Sequence, residues 1–260
     1  MASALIGGLL QKSHAAQDIS VVEIDVQARA RLAARFDVSS YALPAGETSR
    51  SDVVLMAVKP QQLRAVAEGL LPLLQSQLVI TIAAGVRSAD LSRWLRGYPR
   101  IVRVMPNTPA LVLAGASVLY AMPTVTSEER HTAEGILSAV GSTLWVENEE
   151  LMDVATAVSG SGPAYVFYFI EALEQAAGEL GLAPETARRL SLDTFHGAVR
   201  LARESGEEPA ELRARVTSKG GTTERALRSM EANGVKGLIV EAVRQAAARS
   251  RELGDELGRT

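Results

Sequence analysis

The sequence predicts an α/β domain, a parallel sheet covered by helices on both faces, followed by an all-α domain. Three observations carry that prediction. Up to about residue 148, short β-branched runs alternate with helical periods, the rhythm of strand-helix-strand units. Beyond that point long helical periods replace the short runs. In this second half prolines stand where first helical turns begin and glycines where helices end. The expected division is residues 1–148 and residues 149–260. With 260 residues, 47% of them apolar and 22% charged, the chain is long enough to bury a core in each half.

Element by element, Ile19 to Ile24 is a short β-branched run, and a helical stretch follows from Val26 to Arg35. Ser51 to Val58 reads as a buried strand ended by Lys59 and Pro60, since proline cannot donate to a ladder. A helix from Gln61 to Leu74 leads to a strand over Leu78 to Ile82, closed by Ala83, Ala84 and Gly85. The helix Ser88 to Arg96 precedes a strand at Arg100 to Val104, which Met105-Pro-Asn-Thr-Pro109 breaks. Ala116 to Ala121 and Thr143 to Val146 are two further strands, with a helix from Ser127 to Ala139 between them. In the second half Pro163, Pro184 and Pro209 mark helix starts, while Gly181 and Gly234 mark ends. The last helix, from Val235 to about Leu253, puts Leu238, Val240, Ala242, Val243 and Ala246 on a stripe broad enough to face a partner subunit.

Residue counts narrow the function. Lys and Arg number 27 against 30 Asp and Glu, and a net charge of −3 offers no basic footprint for nucleic acid. The lack of cysteine removes disulfides, thiolate metal ligands and cysteine nucleophiles, and fits a reducing, cytoplasmic setting. No charged-then-apolar leader is recognised, and no apolar run approaches the roughly 18 residues of a membrane helix, so a soluble chain is expected. His14, His131 and His196 are scattered without ligand spacing, and no metal centre is expected.

In open α/β sheets ligands gather at the carboxyl ends of the strands. Ala57-Val-Lys-Pro60 puts a lysine at one such end, and Ala83-Ala-Gly85 leaves backbone accessible at another. Asp25, at the end of the first run, either accepts from a ribose hydroxyl or caps the next helix. Lys59 has the equally plain reading of a solvated surface charge. Two prolines around Asn107 and Thr108 stiffen a polar loop that serves a ligand or simply turns the chain. Ser159-Gly-Ser-Gly-Pro163 opens a helix with small residues, which favours close packing with some ligand approach. Ser218-Lys-Gly-Gly-Thr-Thr223 is the sharpest feature of the second half. Its glycine pair lets N–H groups converge just before a helix N-terminus, either as an anion site or as a turn capped by Thr222 or Thr223.

Taken in order, these segments resemble pyrroline-5-carboxylate reductases. The resemblance runs through Met1-Ala-Ser-Ala-Leu-Ile-Gly-Gly-Leu-Leu10, Ala57 to Pro60, Ile82 to Val86, Val104 to Ala110, Ala157 to Tyr165 and Val216 to Thr223, and so covers essentially the whole chain. It implies a Rossmann-like dinucleotide-binding domain, then a helical substrate-binding and dimerisation domain whose homodimers share the active site and build higher oligomers. It implies that Ala57, Lys59, Pro60, Ala84, Asn107 and Pro109 lie at NADPH or NADH. Ser218, Gly220, Gly221, Thr222 and Thr223 then hold the carboxylate and ring of 1-pyrroline-5-carboxylate. In the family a short strand and a Gly-Gly-Gly-Asn loop precede the position of Met1. The sheet is therefore expected to lack its first strand and its phosphate-binding glycines, and to open between two neighbours.

The implied reaction is hydride transfer to C5 of the cyclic imine, giving L-proline, the last step of proline synthesis. A protonated imine is already electrophilic, so the protein mainly aligns donor and acceptor. The N–H groups of Gly220 and Gly221 are expected to bind the carboxylate, and the Thr223 hydroxyl, the expected catalytic group, to bond the ring nitrogen. Asp25 leans towards NADH and Arg29 offsets it. A β-hydroxyacid dehydrogenase would want a lysine in the first long helix of the second half, and Pro163 to Leu180 contains none. The alternative outside enzymes is a non-catalytic oligomer without the phosphate-binding loop.

Overall fold

The structure is a computed structural model, and it describes residues 1–259. It contains two compact units: Met1–Ser161 together with the last stretch of chain from Ala246, and Gly162–Gln245.

The first unit is the α/β part. Helix α1 (Ala2–Gln11) is followed by β1 (Ser20–Val22), α2 (Val26–Phe36), β2 (Ser39–Tyr41) and the short α3 (Gly46–Arg50). Next come β3 (Val53–Met56), α4 (Pro60–Leu70), β4 (Leu78–Thr81), α5 (Ser88–Trp94) and β5 (Ile101–Met105). The unit continues with β6 (Gly115–Ala121), α6 (Ser127–Leu137), β7 (Gly141–Trp145) and α7 (Leu151–Ala155), then a π turn at Thr156–Gly160.

The strands make a five-stranded sheet in the order β3-β4-β5-β6-β7, and a separate parallel pair of β1 and β2 registered Ser20 to Ser39. Among the described residues the pair hydrogen-bonds to none of the five, so the strands open between two neighbours as expected. The expected all-parallel arrangement is corrected at one place, because β6 runs antiparallel to β5, with Met105 facing Val118. The connection from Met105 to Gly115 is too short for a parallel crossover, which takes about a dozen residues. Strand β2 was not expected from its sequence, since Ser39-Ser-Tyr41 carries no apolar run and becomes a strand only by pairing with β1.

Period-two alternation divides the core between two faces. Leu78 and Ile80 of β4 join Leu5 of α1 and Leu137 of α6 on one face. Val79 joins Leu63 and Ala67 of α4 and Leu91 of α5 on the other.

The second unit is helical: α8 (Gly162–Glu179), α9 (Pro184–Ser205), α10 (Pro209–Arg215), α11 (Thr222–Ala232) and the first part of α12 (Val235–Arg259). Pro184 and Pro209 open α9 and α10, where a missing N–H costs nothing, and Gly234 follows α11 with φ 66°. Phe167, Tyr168, Leu190, Leu201, Leu238 and Val240 leave apolar surface exposed on these helices. Among the described residues no helix is long and apolar enough to cross a membrane.

Candidate active site

All the residues expected at the cofactor stand at the carboxyl ends of β3, β4 and β5, on one edge of the five-stranded sheet. Ala57 and Lys59 follow β3, and Pro60 is the first residue of α4 with Lys59 as its N-cap. Both Ala57 and Lys59 are exposed, and the Lys59 ammonium makes no ion pair among the described residues. Ala84 follows β4 and is half-buried. Next to it Gly85 turns the chain with φ 78°, where an added Cβ would meet Leu257 Cδ1 at 3.3 Å. The carboxyl-terminal part of α12 thus closes over this turn, and Arg87 fixes it there through a 2.7 Å ion pair with Asp255.

Asn107 and Pro109 follow β5, but the Asn107 amide is already employed. Its Oδ1 accepts from the Ala116 N–H at 2.8 Å, and its Nδ2 donates to the Ser159 carbonyl at 3.2 Å. Asn107 therefore ties β6 to the π turn, and the stiff proline-flanked loop does structural work. Asp25 caps α2, its Oδ1 accepting from the Ala28 N–H at 2.6 Å, while Arg29 Nη1 donates to the Glu23 carbonyl at 2.6 Å. Of its two readings, the cap is the one seen.

Sequence reasoning missed a buried polar cluster behind the same edge. Arg103 of β5 is 4% exposed and pairs with Glu149 at 3.0 Å. Glu149 also accepts from the Ser88 N–H and hydroxyl, each at 2.6 Å. Burial first, and then the Glu149 charge, push the Tyr120 hydroxyl above its ordinary value. The available signal was Arg103 itself, a cation inside an otherwise apolar strand. Nearby, buried Asp153 accepts from the Ser250 hydroxyl at 2.6 Å, a second anchor for α12.

In the helical unit, Ser218 to Thr223 form the turn from α10 into α11. Gly220 has φ 76°, a backbone angle that favours glycine, and Gly221 is the N-cap, where a Cβ would meet Ser218 Oγ at 2.5 Å and the Ser218 carbonyl at 3.1 Å. The two N–H groups expected to meet an anion are engaged within the turn. Gly220 donates to Glu224 Oε2 at 2.6 Å, and Gly221 donates to the Ser218 carbonyl at 3.1 Å. Glu224 Oε1 in turn accepts from Arg228 at 2.9 Å. Thr222 and Thr223 supply the first two N–H groups of α11, which have no acceptor within the helix. In the Ser159–Tyr165 stretch, Gly162 opens α8 after the π turn, and the Tyr165 hydroxyl is buried without a hydrogen-bond partner among the described residues. Among those residues no group of three or more His, Cys, Asp or Glu side chains is placed to hold a metal.

Residues 149–253 match the family model for pyrroline-5-carboxylate reductase dimerisation, and residues 1–85 match that for NADP oxidoreductase, coenzyme F420-dependent. The chain is 46% identical to pyrroline-5-carboxylate reductase from Pseudomonas aeruginosa, over 99% of this chain and 95% of that protein. It is 40% identical to the enzyme from Pasteurella multocida, over 97% and 94%. The solved structure of a pyrroline-5-carboxylate reductase from Coxiella burnetii superimposes with a TM-score of 0.92 at 38% identity, covering 97% of this chain and 94% of that one. Pyrroline carboxylate reductase from Plasmodium falciparum, solved with NADP bound, gives 0.86 at 30% identity over 97% and 94%.

Proposed function

This chain belongs to the pyrroline-5-carboxylate reductase family, and from that premise we propose that it reduces 1-pyrroline-5-carboxylate to L-proline with NADPH or NADH. The observation that carries the reading is the near-full-length similarity to reductases, which takes in both halves of the chain. The non-catalytic alternative is not favoured, because nothing in that match is confined to the helical half.

The carboxyl edge of the sheet suits a nicotinamide. Ala57, Ala84 and Pro109 keep side chains short there, and Lys59 brings an exposed cation with no ion-pair partner among the described residues. These residues, with Pro60 and Asn107, would hold the cofactor, Asn107 through its backbone since its amide is taken. When bound, the reduced nicotinamide supplies the hydride that the imine carbon accepts. On the helical unit, Ser218, Gly220, Gly221, Thr222 and Thr223 hold the substrate. The first-turn N–H groups of α11 and the positive end of its dipole meet the carboxylate. At the Gly220 N–H, that carboxylate takes the place of the Glu224 side chain. The Thr223 hydroxyl, half-buried and with no protein partner among the described residues, hydrogen-bonds the ring nitrogen and keeps its proton in place.

In this reading residues 1–148 bind cofactor, and residues 149–260 bind substrate and form the homodimer from which higher oligomers are built. The exposed apolar residues of α8, α9 and α12 support that interface. The cysteine-free composition supports a cytoplasmic setting. The test is oxidation of NADPH and of NADH by 1-pyrroline-5-carboxylate, with proline identified as product, in the parent chain and in Thr223→Ala. Turnover should fall in the variant more than cofactor affinity does. Failure of the parent chain with both cofactors would sink the activity, and full activity in the variant would remove Thr223 from the mechanism.

A further inference from the structure

A groove of 570 Å³ lies on the outer helical layer of the α/β unit, within the size range of small-molecule sites. Arg64 of α4, Arg93 and Trp94 of α5, Arg96, and Arg259 at the end of α12 line it, with Leu71 as part of its floor. Helices α4 and α5 run back from the carboxyl ends of β3 and β4, so Leu71, Trp94 and Arg96 stand towards the opposite edge of the sheet. The proposed mechanism uses none of the groove's residues.

Its charge is unbalanced. Four guanidinium groups face a single lining carboxylate, Glu68, which Arg64 Nε already occupies at 2.9 Å. Arg93 is bound to Asp90 at 2.7 Å and to the Gly258 carbonyl at 2.5 Å. Arg96 and Arg259 form no ion pair among the described residues. Arg96 also has φ 53°, a left-handed backbone that glycine adopts freely and an arginine only at a cost. The last turn of α5 holds it there, with the Arg96 N–H on the Arg93 carbonyl at 3.1 Å and the Gly97 N–H on the Ser92 carbonyl at 2.8 Å. That helix-end turn accounts for the backbone angle, while the like charges gathered in the groove repel one another, a repulsion that a bound anion would relieve.

We infer that this groove binds a di- or triphosphate group, either free or as the tail of a nucleotide. Guanidinium forks match phosphate oxygens in pairs, and more than one negative charge is needed to balance the unpaired arginines. The inference does not depend on the reductase activity.

Trp94 reports on the groove directly. The chain has two tryptophans, so Trp145→Phe leaves Trp94 as the sole emitter. Titrating that protein with inorganic pyrophosphate, and separately with ADP, at low ionic strength should give a saturable change in Trp94 emission. Calorimetry on the unaltered chain provides the same comparison without the tryptophan change. Arg96→Gly should weaken pyrophosphate by about tenfold, the loss of one charge-assisted contact. It should also keep or raise the melting temperature, because glycine is unstrained at this backbone angle. Arg259→Ala should weaken binding similarly. Tighter binding of ADP than of pyrophosphate, weakened in Arg96→Gly and Arg259→Ala, identifies a nucleotide as the occupant, and equal affinity identifies the phosphate group alone. No saturable binding of either probe, or unchanged affinity in both arginine variants, overturns the inference.

Discussion

Glu224 Oε2 lies 2.6 Å from the Gly220 nitrogen and accepts its N–H, so the turn proposed to bind a substrate carboxylate already holds one from its own chain. The incoming carboxylate must compete with it for that donor.

Glu224→Ala should therefore lower KM for 1-pyrroline-5-carboxylate by about fivefold, with a smaller effect on kcat. The estimate takes roughly 1 kcal/mol for a solvent-reachable hydrogen bond to a charged group. Steady-state kinetics decide the matter: a higher KM would mean that Glu224 orders the turn rather than blocks it.

Arg103 has a side chain 5% exposed and depends on Glu149 for its neutralisation. Glu149→Ala leaves that cation buried and alone, and should destabilise the α/β unit by about 3 kcal/mol in urea unfolding. Ser88→Ala, which removes one hydroxyl donor to Glu149, should cost about 1 kcal/mol.

Gly85 combines φ 78° with contact against α12, its virtual Cβ 3.4 Å from Leu253 Cβ. Gly85→Ala should cost about 1–2 kcal/mol from backbone strain. Amide hydrogen exchange should speed up over Ala246 to Arg259, because the side chain pushes on the helix that covers the turn. Unchanged exchange there would separate the strain from the packing.

Glu129 works at both ends of a capping box. Its Oε2 accepts the Thr126 N–H at 2.7 Å, its own N–H donates to Thr126 Oγ1 at 3.2 Å, and Arg100 donates to its other oxygen. Burial pushes its carboxyl up, but the Thr126 N–H and the Arg100 guanidinium together outweigh burial and hold it below the usual range. A pKa lowered by folding contributes stability above the unfolded value, and that stability is lost as pH falls through the folded value. Urea midpoints should thus drop on acidification below about pH 4.3, and Glu129→Gln should flatten that drop. Equal acid slopes in the two proteins would assign the pH dependence to other carboxylates.

Much of the fold was legible where burial is uniform. Val53–Met56, Leu78–Thr81 and Ile101–Met105 are apolar β-branched runs bounded by breakers, and each is a strand within a residue or two of its expected ends. Strand β2 was not legible, because Ser39-Ser-Tyr41 acquires its structure from a partner. The direction of β6 was hidden too, since the residues of a strand say nothing about which way it lies beside its neighbour. The residues proposed for the cofactor fall on one edge as a set because all follow strand ends, and strand ends of a parallel sheet share one edge.

The sequence by itself determined the family, through motif resemblance along the whole chain, and also the order of elements and the glycine turn at Gly220, which rest on local spacing: period two in strands, 3.6 in helices, and positive φ at glycine. Only the tertiary structure decided how polar groups are spent. Asn107 bridges to Ser159, Arg103 meets Glu149 and four arginines converge on one groove through contacts between segments far apart in the chain. Such partners are set by how the backbone returns on itself, and local periodicity, which reports only which face of an element is buried, carries no record of that return.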